Sequence, residues 1–161
     1  MSERHTIEPV YDRNSRVLIL GSFPSVRSRE IGFYYGHRQN RFWRTLSHVF
    51  GADLPQTIEE KKSFLLSHGV ALWDVIASCE IEGSSDASIR DALPNDVAKI
   101  LKEAPIAAIY TNGATAHRLY QRLLERDLGR PAVLLPSTSP ANAAWGQDRL
   151  DAAWSVITKS E

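Results

Sequence analysis

The side chains that could do chemistry are concentrated in residues 19–43, ILGSFPSVRSREIGFYYGHRQNRFW. An apolar run over 17–20 ends there in a Gly-Ser-Phe-Pro-Ser loop, which is typical of a buried strand that leaves its sheet. Two adjacent tyrosines, a histidine, several arginines and Asn40 follow this loop. Because open α/β sheets place ligands at the carboxyl ends of their strands, the segment is suited to holding a flat, phosphorylated ligand.

Three further apolar runs end in polar segments of the same kind. They cover residues 70–74, 106–110 and 132–135, and continuous apolar runs of this length are typical of parallel strands buried on both faces. The carboxyl ends of parallel strands meet at one edge of a sheet, so we expect the polar segments to come together there. These segments are residues 21–25, 74–78, 111–115 and 137–142.

Helical patterns alternate with these runs and define the predicted fold class. They cover residues 41–50, 57–67, 95–103, 115–126 and 149–159, and Thr57 and Glu60 have the spacing of a capping box. Strands alternating with helices predict an α/β protein, a three-layer α/β/α sandwich with a short central parallel sheet of about four strands. Residues 1–161 are expected to form a single domain, in which 82–88 is the most loop-like stretch.

Composition excludes several classes of protein. No apolar stretch approaches the roughly 18 residues that span a membrane, and the first ten residues lack the apolar segment of a secretory signal. The single cysteine, Cys79, cannot form an internal disulfide or a multi-thiolate metal site, and the five histidines lack metal-binding spacing. We therefore expect a cytoplasmic protein, by default a monomer, without a membrane anchor, a metal or another cofactor.

Charge is balanced over the whole chain but not locally. The formal net charge is zero, whereas five arginines and a single acid lie between Phe23 and His48. A local basic patch on a neutral body fits a small footprint on an anion. A solvated surface with dispersed charges accounts for the same residues equally well.

Familiar catalytic motifs are absent from the four polar segments. The chain has no GxxxxGK[ST] phosphate loop, no GxGxxG dinucleotide motif and no GxSxG nucleophile turn. What remains are amides, hydroxyls, aromatic faces and the carboxylate of Asp74, which suit hydrogen bonding to base edges and phosphates and stacking on bases. A positioned water with electrostatic stabilisation could carry out a dissociative bond cleavage at such a site.

The motifs GSFPS, GFYYGHRQNRFW and LPSTSPANA together resemble the uracil-DNA glycosylase superfamily. They are most similar to the branch described as hypoxanthine-DNA glycosylases, and the first two are similar to the mismatch-specific pattern GINPG…GFxFAHPANRFW. The resemblance implies a monofunctional enzyme that flips a deaminated base out of double-stranded DNA. It would then hydrolyse the N-glycosidic bond and leave an abasic site. No lysine stands in these motifs, so a Schiff-base lyase step is not expected.

The resemblance assigns the catalytic role to the first two motifs. Gly21, Ser22, Pro24 and Ser25 take the place of the water-activating loop and are expected to contact DNA. Phe23 stands where the family has Asp or Asn, and we expect its ring to lie among the residues that bind the base. The missing function moves to Asn40, whose alternative role is to cap a helix that begins at Arg41.

Three further residues are expected to contact the base, and each has a structural alternative. Tyr35 aligns with the aromatic residue that stacks on the flipped base, or else packs on the core. Asp74 could read an N–H of a purine such as hypoxanthine, or else form a helix cap or a salt bridge. Asn112 could contact the base, or else support the turn at Gly113.

The last motif resembles the loop that pinches DNA and enters the minor groove. Ser137 sits where relatives carry His or Asn to stabilise the departing base and is the second catalytic candidate. Ser139 would bind phosphate, Pro140 would shape the loop, and Ala141 would sit near the wedge position; Asn142 completes the DNA-binding set. Arg38 replaces a proline that is frequent in relatives, and it either contacts phosphate or changes the loop.

Two other functions remain open from the sequence. One is a uracil-DNA glycosylase of the mismatch-specific type, against which Phe23 argues because the water-activating side chain is missing. The other is a non-catalytic nucleic-acid-binding module on the same fold. Hypoxanthine is the base favoured by the resemblance, and the residues themselves do not choose among hypoxanthine, uracil and xanthine.

Overall fold

Strands and helices alternate along the chain in the computed structural model, which describes residues 2–159. The strands are β1 Ser2–Arg4, β2 Val17–Gly21, β3 Val70–Asp74, β4 Ile76–Glu80, β5 Arg90–Pro94, β6 Ala108–Asn112 and β7 Val133–Leu135. The α-helices are α1 Val26–Ile31, α2 Phe42–Phe50, α3 Ile58–Ser67, α4 Ala98–Glu103, α5 Ala114–Tyr120, α6 Arg126–Leu128 and α7 Gln147–Trp154. Met1, Ser160 and Glu161, which the single-domain prediction includes, lie outside the described residues.

A four-stranded parallel sheet with the order β3-β2-β6-β7 forms the centre of the molecule. Val17 in β2 is in register with Val70 on one side and with Ala108 on the other. Every residue of β2 is buried, because the strand has a neighbour on each edge and packed side chains on each face. The predicted short parallel sheet is confirmed, and its four strands end at the same edge.

Two clusters of buried side chains cover the faces of this sheet. On one face, α2, α3 and α7 contribute large residues, among them Phe42, Leu65 and Trp154. On the other face, α4 and α5 contribute Ile100 and Leu119. The predicted three-layer α/β/α arrangement is therefore confirmed, with an apolar core on each side of the sheet rather than a single one.

A second sheet of three antiparallel strands, in the order β1-β4-β5, was not predicted. Ile76 and Cys79 of β4 face the core cluster that contains α4 and α5, whereas β5 is mostly exposed. The register between β4 and β5 shifts twice, so neither strand shows a regular alternation of apolar and polar residues. This irregularity removes the period-two signal by which strands are predicted.

Several predicted elements occur with different bounds. The strand predicted at 106–110 is β6 Ala108–Asn112, because the polar end of the strand continues to pair with β7. The helix predicted at 95–103 begins only at Ala98, since Asn95 is held against the end of β3. The helix predicted at 115–126 is split by a π-helical segment, Gln121–Glu125. The capping box of α3 is confirmed, as Thr57 and Glu60 exchange their hydrogen bonds.

A short helix within the first polar segment was also missed. Ser25 caps α1, its side chain accepting from the backbone N–H of Ser28, and Gly32 ends the helix with a φ of 81°. A serine alone does not indicate a helix cap, because serines are equally common in loops. The six residues of α1 are also too few to show a helical pattern of apolar residues.

No helix within residues 2–159 is long and apolar enough to cross a membrane. Over the same stretch, no three side chains of the His, Cys, Asp and Glu types are grouped so that they could hold a metal ion.

Leu72 tests the packing that joins β3 to the rest of the core. Its side chain is fully buried, its strand pairs with β2, and its backbone exchanges hydrogen bonds with Val10. Leu72→Ala is expected to lower the free energy of unfolding by about 2–5 kcal/mol, because it leaves a cavity. The measurement is urea denaturation. Leu93→Ala, at a position that is 62% exposed, is the matched control and should change stability by less than about 0.5 kcal/mol.

Candidate active site at the carboxyl edge of the parallel sheet

A cavity of about 1190 Å³ opens at the edge where the four parallel strands end. Its walls include residues 21–25, 74, 84–87, 112–115 and 134–142, together with Tyr34, Tyr35, His37, Asn40 and Trp145. The polar segments that follow the four strands therefore meet, as the sequence predicts. Segment 84–87 belongs to the loop between β4 and β5 and was not expected in the wall.

Thr138 connects three of the segments that form this cavity. The residue is fully buried, and its hydroxyl donates to Oδ1 of Asn40 at 2.8 Å. The same hydroxyl accepts from Nδ2 of Asn112 at 3.0 Å, while the Thr138 N–H donates to Oδ1 of Asn112 at 3.0 Å. Its carbonyl accepts from the N–H of Arg41 at 3.0 Å. One buried residue thus fixes the second and the last motif against each other.

The amide of Asn40 has a defined orientation. Its Oδ1 accepts from the backbone N–H of Phe42 at 2.9 Å as well as from Thr138. Because a backbone N–H can only donate, the atom that faces it must be the amide oxygen. Asn40 therefore bonds the first N–H of α2, which begins at Phe42 after the N-cap residue Arg41, and it also lines the cavity. Within residues 2–159 its Nδ2 has no hydrogen-bond partner, so the amide can offer a ligand a donor.

Asn112 has both ends of its amide bonded within the protein. Besides its two bonds to Thr138, Nδ2 donates to the hydroxyl of Tyr35 at 3.1 Å. Its backbone leads directly into Gly113, which has a φ of 98° and could not carry a side chain without strain. In this structure the side chain holds the last motif and Tyr35 in place beside the cavity.

Tyr35 is held by a stack and by backbone geometry. Its ring lies 4.1 Å from that of Phe42, at an interplanar angle of 17°, and its φ of 54° is in the left-handed region. That conformation is uncommon for a residue with a bulky side chain and must be supported by its surroundings. Burial raises the pKa of the Tyr35 phenol, with a further contribution from the negative charge of Asp74. The phenol therefore remains neutral.

Asp74 is a buried carboxylate at the end of β3. Its Oδ2 lies 2.8 Å from Nε2 of His5, and the two side chains are only 5% and 2% exposed. A Cβ atom placed on Gly21 would lie 2.4 Å from Oδ1 of Asp74, so the absence of a side chain there makes room for the carboxylate. Asn95 donates to the Asp74 carbonyl at 2.9 Å and fixes the backbone at this point.

The side chains of the first loop point to different surroundings. Phe23 is buried in the core cluster around β4, with its ring edge-on to His5 and beneath the guanidinium of Arg29. Ser22 donates to Oδ1 of Asp86 at 3.0 Å. Pro24 is buried and Ser25 caps α1, so Ser22 is the residue of this loop whose side chain reaches the wall at 84–87.

The last motif is stabilised by bonds within the loop and by Arg41. Oγ of Ser137 accepts from the N–H of Ser139, and Oγ of Ser139 accepts from the N–H of Ala141. Nδ2 of Asn142 donates to the Ser137 carbonyl at 2.9 Å. Pro140 and Ala141 are exposed at the tip of the loop. The guanidinium of Arg41 donates to the carbonyls of Asn142 and Trp145, which fastens the loop to the start of α2.

Comparison with known proteins decides the family. The family model of the uracil DNA glycosylase superfamily matches residues 8–158. The chain belongs to the uracil DNA glycosylase superfamily. The resemblance inferred from the motifs is thereby confirmed.

Relatives support this assignment over nearly the whole chain. A protein named hypoxanthine DNA glycosylase from Methanosarcina acetivorans is 37% identical over 150 residues, covering 92% of this chain and 93% of that protein. One of the same name from Methanosarcina barkeri is 35% identical over 136 residues, covering 83% and 85%. A solution NMR structure described as a candidate uracil DNA glycosylase from M. acetivorans matches with a TM-score of 0.83 at 34% identity, covering 99% and 98%.

The residues that the motif resemblance assigned to the site occupy different positions relative to the cavity. Most of them line it, including Asn40, Tyr35, Asp74, Asn112 and Ser137. Arg38 does not; it lies with Arg27, Gly36, His37 and Gln39 around a second, smaller depression. Of the five arginines in the predicted basic patch, Arg29 and Arg41 donate to backbone carbonyls, and Arg27, Arg38 and Arg44 are exposed.

Sequence reasoning missed three residues that shape this site, and it counted Thr138 only as one of several hydroxyls in segment 137–142. Thr138 and Asn95 act through hydrogen bonds that form only in the folded chain. His5 lies in the segment before the first predicted strand, where nothing in the sequence indicates its distant partner. Asp86 lies in the stretch recognised only as loop-like.

Thr138→Val tests the connection between the motifs. Valine has the shape of threonine but leaves Oδ1 of Asn40 with one hydrogen bond fewer and Nδ2 of Asn112 with a lost acceptor. We expect the free energy of unfolding to fall by about 1–3 kcal/mol, as for other buried polar groups left without a partner. Urea denaturation measures this loss. Thr138→Ser keeps the hydroxyl and should retain most of the stability; an equal loss in both variants would contradict this role.

Proposed function

We propose that this protein is a monofunctional DNA glycosylase that removes a deaminated base, preferably hypoxanthine, from double-stranded DNA. It would flip the base into the cavity, hydrolyse the N-glycosidic bond and leave an abasic site for base excision repair. The observation that carries the proposal is the Asn40 amide. Two hydrogen bonds fix its oxygen at the wall of the cavity, and its nitrogen stays available to a ligand.

Asn40 supports a dissociative cleavage with a positioned water. As the bond between C1′ and N9 breaks, positive charge develops on the sugar and negative charge on the base. A fixed amide needs no reorganisation during this step, and such preorganised dipoles are the main source of electrostatic stabilisation in enzymes. With its oxygen occupied, Asn40 would donate from Nδ2 to the oxygen of the attacking water or to the substrate. Ser137, at the opposite motif, would contribute a hydroxyl beside the departing base.

The buried end of the cavity supports recognition of the base. A flipped base would lie against Tyr35 and near Phe23, and its edge would meet Oδ1 of Asp74. Hypoxanthine carries an N–H at N1 that can donate to a carboxylate, whereas adenine presents a lone pair there and would be repelled. The ring of His5 bonds Oδ2 of Asp74 and keeps that oxygen occupied. Asn112 would act by holding Tyr35 and the last motif.

The rim of the cavity would contact DNA. On one side the backbone of Gly21, Ser22, Pro24 and Ser25, which are buried or half-buried, would approach the phosphates. On the other side Ser139, Pro140, Ala141 and Asn142 would lie along the minor groove, with Arg38 as an outer phosphate contact. Flipping costs a few kcal/mol and is cheapest for mispaired bases. Ala141, near the wedge position, has a small side chain that fills little of the gap left in the duplex by a flipped base. Flipping would therefore depend on bases whose pairing is already weak.

The remaining expectations about organisation are part of this proposal. Among the described residues that line the cavity there is no lysine, which supports hydrolysis without a Schiff-base intermediate. The protein would act as one domain over residues 1–161 and as a monomer. The cytoplasmic location expected from the sequence stays a prediction.

Removal of base from an inosine-containing duplex by wild type and by Asn40→Ala tests the catalytic proposal. Under single-turnover conditions, wild type should release hypoxanthine, and the variant should be slower by at least about 100-fold, the usual range for a lost catalytic group. Asn14→Ala, at an exposed asparagine remote from the cavity, is the matched control and should keep the wild-type rate. Wild-type protein that binds the duplex but releases no base would instead be a nucleic-acid-binding module.

Asp74→Asn tests which base is read. Replacing the acceptor carboxylate by an amide should slow hypoxanthine release by about 10-fold or more, since an N–H loses its charged partner. The measurement is a panel of duplexes that hold inosine, uracil, xanthine or adenosine opposite each normal base. An unchanged order of preference in the variant would show that Asp74 does not read the base. Uracil as the best wild-type substrate would favour the mismatch-specific alternative.

A further inference from the structure

The loop after β2 offers no carboxylate to the cavity, yet one stands beside it. The ring of Phe23 is buried in the core. Its neighbour Ser22 donates to Oδ1 of Asp86 at 3.0 Å, and Asp86 lines the cavity from the loop between β4 and β5. The chain therefore brings an acid to this place from a different segment.

The segment that carries Asp86 is fixed to the rest of the site. The backbone N–H of Val26 donates to Oγ of Ser84 at 2.9 Å, and the guanidinium of Arg29 donates to the Gly83 carbonyl at 2.9 Å. Both partners belong to α1, which begins directly after the first motif. The segment that carries Asp86 is thus fixed to α1, and the Asp86 carboxylate is fixed by Ser22 to the loop that precedes α1.

The charges around the cavity distinguish its two carboxylates. Asp74 is paired with His5, whereas Asp86 makes no ion pair within the described part of the chain. The bond from Ser22 occupies Oδ1 of Asp86 and leaves Oδ2 available. Neither arginine nor lysine occurs among the described residues that line the cavity. Such surroundings favour a species that becomes positive during the reaction, and in glycoside cleavage that species is the sugar.

We propose that Asp86 is the catalytic carboxylate of this enzyme, which accepts a proton from the attacking water and stabilises the positive sugar. The inference rests on the proposed function. In the step, the bond between C1′ and N9 breaks and its electron pair leaves with the purine. The water oxygen bonds to C1′, one water proton passes to Asp86 and from there to solvent, and the purine takes up a proton from solvent.

The surroundings of Asp86 also shape its protonation. Desolvation at the cavity wall raises the pKa of its carboxyl, and the negative charge of Asp74 on β3 adds to this; the hydroxyl of Ser22 and the charge of Arg118 on α5 act in the opposite direction. A raised pKa makes the carboxylate a better base. The base form is lost as the pH falls through this raised pKa, so the rate should decline on the acid side, beginning at a higher pH than for an ordinary aspartate.

Asp86→Asn is the decisive variant, because it removes the charge and the base but retains an oxygen that can accept from Ser22. Base release from an inosine-containing duplex is measured under single-turnover conditions across pH, and duplex affinity is measured separately. We expect release to be at least about 100-fold slower at neutral pH, with the acid-side decline abolished. Affinity should be unchanged or higher, since a negative charge has been removed near the phosphates. Asp96→Asn, at an exposed position outside the cavity, is the matched control and should behave as wild type.

Each other outcome has a defined meaning. An Asp86→Asn variant that keeps the wild-type rate, or that keeps the acid-side decline, overturns the role of Asp86 while leaving the glycosylase function intact. A variant that loses rate and affinity in equal measure shows that Asp86 only shapes the loop, and this also overturns the inference. A wild-type protein that releases no base overturns the proposed function itself, and the role of Asp86 falls with it.

Discussion

The buried hydroxyl of Thr138 joins Asn40 of the second motif to Asn112 at the end of β6, and it holds both side chains beside the last motif. It donates to Asn40 and accepts from Asn112, so both amides are oriented by one side chain. A buried hydroxyl without these bonds would cost about 1–3 kcal/mol, and this penalty makes the alignment of the motifs part of the folded state. The orientation of Asn40, the placement of Tyr35 and the course of the last loop all depend on this constraint.

The distribution of charge gives the site its second constraint. A reaction that creates a cationic sugar beside a departing base needs a negative wall near C1′ and an acceptor near the base edge. We assign these needs to two aspartates, Asp74 at the end of β3 and Asp86 in the loop between β4 and β5. Asp74 is buried and bonded by His5 through Oδ2, which suits recognition of a neutral base through Oδ1. The carboxylate of Asp86 is bonded by a serine hydroxyl alone among the described residues, which suits proton transfer. Phe23 has no group that could activate water, and its ring packs in the core.

The sequence was sufficient for those features that follow from local patterns. The four parallel strands were predicted because strands buried on both faces are continuously apolar, and the capping box of α3 was predicted because its two residues are three positions apart. The antiparallel sheet was missed, since its exposed and irregular strands lack alternation. His5 and Asp86 were missed because their importance comes from contacts with residues 69 and 64 positions away, which no local pattern encodes.

A double-variant comparison tests the central claim that Thr138 acts on the chemistry by fixing Asn40. Single-turnover base release from an inosine-containing duplex is measured for Thr138→Val in the wild-type background and again in a protein that already carries Asn40→Ala. The account predicts that Thr138→Val slows release in the first case and changes it by no more than about twofold in the second, because residues in one hydrogen-bonded network are not additive. Losses that multiply in the double variant would contradict it.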